Sequence, residues 1–204
     1  MDDPVEQTIA TYDNLAADYV THYVDRTPYR DLYDYFVAHL QGKRVLDVGC
    51  GAGHDTAFFT SHDLEVTGID LSTKLLAFAK KSVPKSSFIE MDMRTLEFPP
   101  KMFDGLWVMT SFQHLPKTNA LKTLRGFKRV LKDSGFLYIS VTEGEGEGMV
   151  GKDRYQGMQK HFSNYVELEI RDLLVNAGFR VLEVQRAKTK RQNSFMDIFA
   201  VPAV

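Results

Sequence analysis

The chain has 204 residues, 44% hydrophobic and 25% charged, with a formal net charge of -2 at pH 7. That composition suits one globular domain of ordinary size, and the charge offers no global attraction to nucleic acid or to an anionic membrane. A single cysteine, Cys50, excludes an internal disulfide framework, and no apolar run approaches the roughly 20 residues of a membrane span.

In chain order, the start Met1-Asp2-Asp3-Pro4 is acidic and lacks the apolar core of a secretory signal, so a cytoplasmic location is expected. Apolar spacing predicts a helical region from about Val5 to Leu40, broken near Thr27-Pro28. It is read as a lid over residues 1–40, ahead of a core over residues 41–204 in the same domain. Within the lid, Tyr12, Ala16 and Tyr19 are spaced for one helical face.

A first strand, Arg44–Val48, runs into Gly49-Cys50-Gly51-Ala52-Gly53, and a helix follows over about Asp55–Ser61. Strand, glycine turn and helix N-terminus together make a nucleotide-type site. A dinucleotide fingerprint needs G-x-G-x-x-G. Here Gly49 and Gly51 fit, the third position falls on His54, and the third glycine comes one residue early at Gly53. Asp47, inside the strand, would repel a pyrophosphate and suit an ammonium group.

Further strands are predicted at Glu65–Ile69, Ser87–Glu90, Gly105–Met109 and Phe136–Val141, with helices at Ser72–Ser82 and Asn119–Leu131 between them. After these comes a composition shift over Glu143–Gly151, where glutamates alternate with glycines, and its six residues Glu143–Gly148 read as a mobile lid with no regular element. A helix at Tyr165–Asn176 stops at Gly178, and strands Arg180–Arg186 and Ser194–Val201 form a hairpin joined by the basic turn Lys188 to Gln192. The alternation implies an α/β fold: a Rossmann-like, doubly wound seven-stranded sheet, mostly parallel with the last strand antiparallel, preceded by N-terminal helices.

The run from Val45 to Gly53 resembles motif I of the class I S-adenosylmethionine-dependent methyltransferases, and the element order is similar to theirs over nearly the whole chain. The resemblance implies S-adenosylmethionine as cofactor and S-adenosylhomocysteine as product, with Asp47, Gly49, Cys50, Gly51 and Gly53 in the first turn. It implies that Asp70, followed by Leu71, takes the ribose hydroxyls, and that Asp92 and Met93 meet the adenine. Met109 and Thr110 would border the methionine half, with His114 beside the methyl as a candidate base or a structural histidine. Tyr12 and Tyr19 match a tyrosine lid over the same end.

The acceptor is narrowed by absences. Covalent pyrimidine methylation needs a nucleophilic cysteine, and Cys50 sits in the cofactor turn. Amino-methylation of adenine uses Asn-Pro-Pro-Tyr/Phe where this chain has Met109-Thr110-Ser111-Phe112. No metal is expected. A small-molecule O, N or S acceptor remains, and by the resemblance Tyr155, His161 and Tyr165 lie in the segment that lines acceptor pockets. Lys122, Arg125, Arg129 and Lys132 read as a solvated helix face, so a nucleic-acid partner is not expected. The alternatives are an RNA or tRNA methyltransferase, a nicotinamide-dependent oxidoreductase and a non-catalytic cofactor-binding protein. The oligomeric state is left open.

Overall fold

In the computed structural model, residues 3–22, 25–187 and 195–203 are described. The turn Lys188 to Gln192 and the strand start at Ser194 lie outside them. Three helices come first: α1 (Pro4–Asn14), α2 (Ala16–His22) and α3 (Arg30–His39). Then follow β1 (Arg44–Val48), α4 (His54–Ser61), β2 (Glu65–Asp70), α5 (Thr73–Ser82), β3 (Ser87–Glu90) and β4 (Phe103–Met109). The chain continues through α6 (Lys117–Val130), β5 (Leu131–Thr142), β6 (Glu147–Gly151), β7 (Gln159–Ser163), α7 (Glu167–Asn176), β8 (Phe179–Ala187) and β9 (Phe195–Pro202).

Seven strands form one sheet in the order β3-β2-β1-β4-β5-β9-β8. Strands β1 to β5 pair in parallel, and β9 runs antiparallel to both β5 and β8. The last strand therefore slots into the sheet and leaves β8 at the edge. The fold is the mixed α/β, Rossmann-like one that the alternation predicts.

Strand β4 shows why both faces need helices. Leu106 and Val108 point into a cluster with Leu124 and Phe127 of α6, while Trp107 points into a second cluster with Tyr33, Phe36 and Phe59. That is period-two alternation with both sides apolar, as a covered parallel strand requires. Trp107 stacks on Tyr138 at 3.8 Å and on Tyr33 at 4.9 Å between centroids. Its indole N–H donates to Asp55 Oδ2 at 2.9 Å, and Arg26 meets the other oxygen at 3.0 Å. The buried Asp55 carboxylate is thereby paired, which its removal from water demands.

Helix α6 buries Ala120, Thr123, Leu124, Phe127 and Val130 on the sheet. On its basic side Arg129 donates to the carbonyls of Leu96 and Phe98, and Lys132, at the start of β5, pairs with Asp104 at 2.6 Å.

The alternating Glu-Gly segment corrects the sequence reading. Only its first half is a loop; Glu147–Gly151 is a strand paired with β7 in a separate two-stranded sheet. An every-second-residue pattern is also strand periodicity. Glu147 accepts from the Lys117 backbone N–H at 2.7 Å and from Ser163 Oγ at 3.0 Å, and Glu143 pairs with Arg186 at 2.9 Å. Two of its acids thus stitch the fold together.

Candidate active site

The carboxyl ends of β1, β2 and β4 and the underside of α1 enclose a cavity with about 710 Å³ of open space, mouth included. The position is where open parallel sheets bind ligands.

The floor is the glycine turn. Gly49 and Cys50 donate their N–H groups to the Ile69 carbonyl at 2.8 and 3.0 Å, which fastens the turn to β2. Gly49 has φ +72°, and a Cβ there would lie 2.3 Å from Ser111 Cβ. Glycine is required twice over, by conformation and by space. Ser111 in turn donates to the Val48 carbonyl at 2.6 Å, locking the exits of β1 and β4 together. Between them, Thr110 holds φ +53°, an uncommon conformation for a β-branched residue, and lines the cavity.

Asp70 closes β2. Its Oδ2 accepts from Gly51 N–H and its Oδ1 from Ser72 N–H, each at 2.8 Å. Burial raises its pKa and these backbone donors oppose the rise. Each carboxylate oxygen keeps a further lone pair, so Asp70 can still accept two hydroxyl protons from a ligand. Asp92 accepts from the backbone and side chain of Arg94, which also reaches Asp3 at 2.7 Å.

The roof is α1. Val5, Thr8, Ile9 and Tyr12 line the cavity, the i, i+3, i+4, i+7 spacing of one helical face. Both ends of the helix are anchored at strand exits: Asp3 on Arg94, and Asp13 accepting from Ser72 Oγ at 2.5 Å. Helix α1 ends at Asn14 and α2 starts at Ala16, so Tyr12 and Tyr19 do not share one continuous helix as expected. They still meet edge to face, 5.6 Å apart.

His114 sits in a 3₁₀ turn at the end of β4's exit segment, half-buried in the cavity lining. Its Nδ1 lies 2.7 Å from the His161 carbonyl, which can only accept, so Nδ1 carries the proton. Nε2 then accepts from the Tyr12 hydroxyl at 2.8 Å. Burial lowers the imidazole pKa to about 4, the charges of Lys160 and His161 adding to the effect. The ring is neutral at physiological pH and its lone pair is taken.

Of the residues predicted for the cofactor, Tyr12, Tyr19, Gly49, Gly51, Asp70, Leu71, Asp92, Met93, Met109, Thr110 and His114 line this cavity. Asp47, Cys50 and Gly53 do not. Asp47 is buried behind the turn, accepting from Thr56 Oγ1 at 2.6 Å, and burial and the facing Asp55 push its carboxyl up. It is a tether for α4 and offers no carboxylate to the cavity. Cys50 packs with Leu76, Ala79, Val83 and Phe88.

Tyr155, His161 and Tyr165 are buried and do not line this cavity. His161 joins α1 to the site: its N–H donates to Thr8 Oγ1 at 2.8 Å while its carbonyl holds His114. Sequence reasoning missed Ser111, Thr8, Ile9 and Arg94, although the Val5-Thr8-Ile9-Tyr12 spacing was there to be read.

Among the described residues, the lining carries two carboxylates and no lysine or arginine. That lining repels a pyrophosphate and accepts ribose hydroxyls and positive charge. An apolar slot of Leu71, Met91, Met93, Ile9 and Leu115 suits a purine ring. The site fits a nucleoside cofactor without phosphate.

Comparison with known proteins agrees in direction. Residues 45–135 match the family model described as a methyltransferase domain. The chain is 32% identical over 124 residues to the putative methyltransferase YqeM of Bacillus subtilis, covering 58% of this chain and 50% of that protein. It is 34% identical over 110 residues to a ubiquinone biosynthesis O-methyltransferase of Paracidovorax citrulli, covering 51% and 45%. The chain thus spans half or less of the length of these two relatives. In fold it is similar to 1,6-didemethyltoxoflavin-N1-methyltransferase of Burkholderia thailandensis, solved with S-adenosylhomocysteine, with a TM-score of 0.79, 22% identity and coverage of 100% and 92%.

Proposed function

We propose that the chain is a class I S-adenosylmethionine-dependent methyltransferase that moves a methyl group from S-adenosylmethionine to an O, N or S atom of a small molecule, a reading supported by the methyltransferase-domain match over residues 45–135 and by the similar proteins above. The observation that carries this reading is the cavity lining, acidic and free of lysine and arginine among the described residues, with Asp70 aimed where a ribose would lie. Its acidity disfavours a nicotinamide dinucleotide.

S-Adenosylmethionine supplies an activated methyl on a sulfonium, and displacement there needs alignment more than covalent help from protein. Asp70 would hold the ribose, and the slot of Leu71, Met91 and Met93 the adenine. Helix α1 covers the site and excludes water. Tyr12 donates its hydroxyl proton to His114, and its oxygen lies on the cavity wall, where the acceptor's O–H or N–H would meet it. That orients a lone pair toward the methyl. A histidine with a pKa near 4 is a weak base, so we assign His114 to holding Tyr12 and not to removing the proton.

Calorimetry with S-adenosylhomocysteine and with NAD tests the cofactor, and mass spectrometry after incubation with a metabolite extract tests the transfer. Tight NAD binding without S-adenosylhomocysteine binding would overturn the reading.

A further inference from the structure

Lys160 is only 5% exposed, yet among the described residues no Asp or Glu pairs with it. Its ammonium lies 3.3 Å from the centroid of the Tyr12 ring and 4.7 Å from that of Tyr155. A lysine removed from water this far is normally answered by a carboxylate. Here it is answered by ring faces alone, each worth about 2 kcal/mol when desolvated.

The surroundings make the imbalance worse. Burial, followed by the charges of Arg154 and Lys152, lowers the Lys160 pKa to about 7. Lys152 stands over Phe162 at 5.4 Å and Arg154 over Tyr155 at 5.3 Å. Phe162 meets His114 edge to face at 4.8 Å. Three cations and three aromatic rings, with His114 beside them, therefore gather next to Tyr12. Tyr12 also lines the cofactor cavity, whose charged lining residues are the acids Asp70 and Asp92. The Lys160 cluster and the cofactor cavity thus differ in sign and both include Tyr12.

We propose that the methyl acceptor carries an acidic group, a carboxylate or a phosphate on a planar or aromatic body, which seats on Lys160 between Tyr12, Tyr155 and Phe162. The anion supplies the missing partner of the ammonium, and the rings take the apolar body by stacking. This places the acceptor's remaining O–H or N–H at Tyr12, facing the methyl. The inference rests on the methyltransferase reading above and specifies its substrate class.

The test uses the full chain loaded with S-adenosylhomocysteine, whose binding is measured first. Calorimetry then compares benzoate with benzamide, and phenyl phosphate with phenol. One or both anions should bind at least about tenfold tighter than the neutral isostere, as a charge-assisted contact requires. Which pair shows the preference tells carboxylate from phosphate. Lys160→Met should remove the preference while leaving S-adenosylhomocysteine affinity within about twofold, and Lys160→Arg should keep most of it. Equal binding of acid and neutral isostere in both pairs overturns the proposal, as does an anion preference that survives in Lys160→Met. If Lys160→Met does not fold, the isostere comparison in the unmodified chain and in Lys160→Arg decides. A chain that fails to bind S-adenosylhomocysteine at all overturns the cofactor reading instead, so the two failures are distinguishable.

Discussion

The Tyr12 hydroxyl donates to His114 Nε2 at 2.8 Å across 102 positions of sequence, tying the roof of the cavity to the exit of β4. Because His114 spends its other nitrogen on the His161 carbonyl, the bond has one direction only. Tyr12→Phe leaves a buried ring nitrogen without a donor. The expected cost is about 1–3 kcal/mol of stability, read from urea unfolding. In a transfer assay its loss should fall on kcat more than on cofactor affinity. An unchanged unfolding midpoint would show that this bond does not hold the roof.

Asp70 gives the second prediction. Asp70→Ala removes the acceptor shared by Gly51, Ser72 and the proposed ribose. S-Adenosylhomocysteine affinity should fall at least about tenfold, and further than in His114→Ala. The reverse order would mean that the two roles are wrongly assigned.

His114 makes stability depend on pH in a definite direction. Its folded pKa of about 4 lies below the ordinary 6.5. Between these values the unfolded chain binds a proton that the folded chain does not, so stability falls as the pH drops through that window. The loss approaches about 3 kcal/mol below pH 4. His114→Gln should flatten this part of the profile relative to the unmodified chain. Identical profiles from denaturant melts across pH 4 to 7 would contradict the assignment.

Arg94 pins both Asp92 and Asp3, the N-cap of α1. Arg94→Met should free that end of the roof. Amide exchange over residues 4–14 should quicken several-fold, and S-adenosylhomocysteine should dissociate faster, while urea stability changes by less than about 1 kcal/mol because the pair is partly exposed. Unchanged exchange would mean that the contacts of Thr8 and Asp13 hold the helix without it.

Thr110 is the remaining case. Thr110→Gly relieves a left-handed threonine, which costs about 1–3 kcal/mol, against the smaller entropic cost of glycine. A net gain of about 1 kcal/mol in stability with weaker S-adenosylhomocysteine binding is expected. Loss of stability would show that the threonine side chain is needed for packing.

The β-strands of the sheet and most helices were legible because burial on a parallel sheet leaves continuous apolar runs and 3.6-residue stripes in the sequence. The glycine turn was legible because only glycine takes φ +72° beside Ser111 at that distance. Strand β6 was not, since two of its five residues are glycine, which is depleted in strands, and it follows directly on the Glu-Gly alternation.

Local chemistry therefore determined the nucleoside turn, the order of strands and helices, and the acids at the ends of β2 and β3. Those depend on a residue and its near neighbours along the chain. The tertiary structure alone decided which side chains reach the cavity. It turned Asp47 inward to Thr56, buried Tyr155, His161 and Tyr165, and set Lys160 on the face of Tyr12. Those outcomes depend on distance and desolvation between residues up to about 150 positions apart, as in the bond from the His161 N–H to Thr8, with |i−j| of 153. No local pattern encodes such pairs, because their energy arises only when packing removes both partners from water.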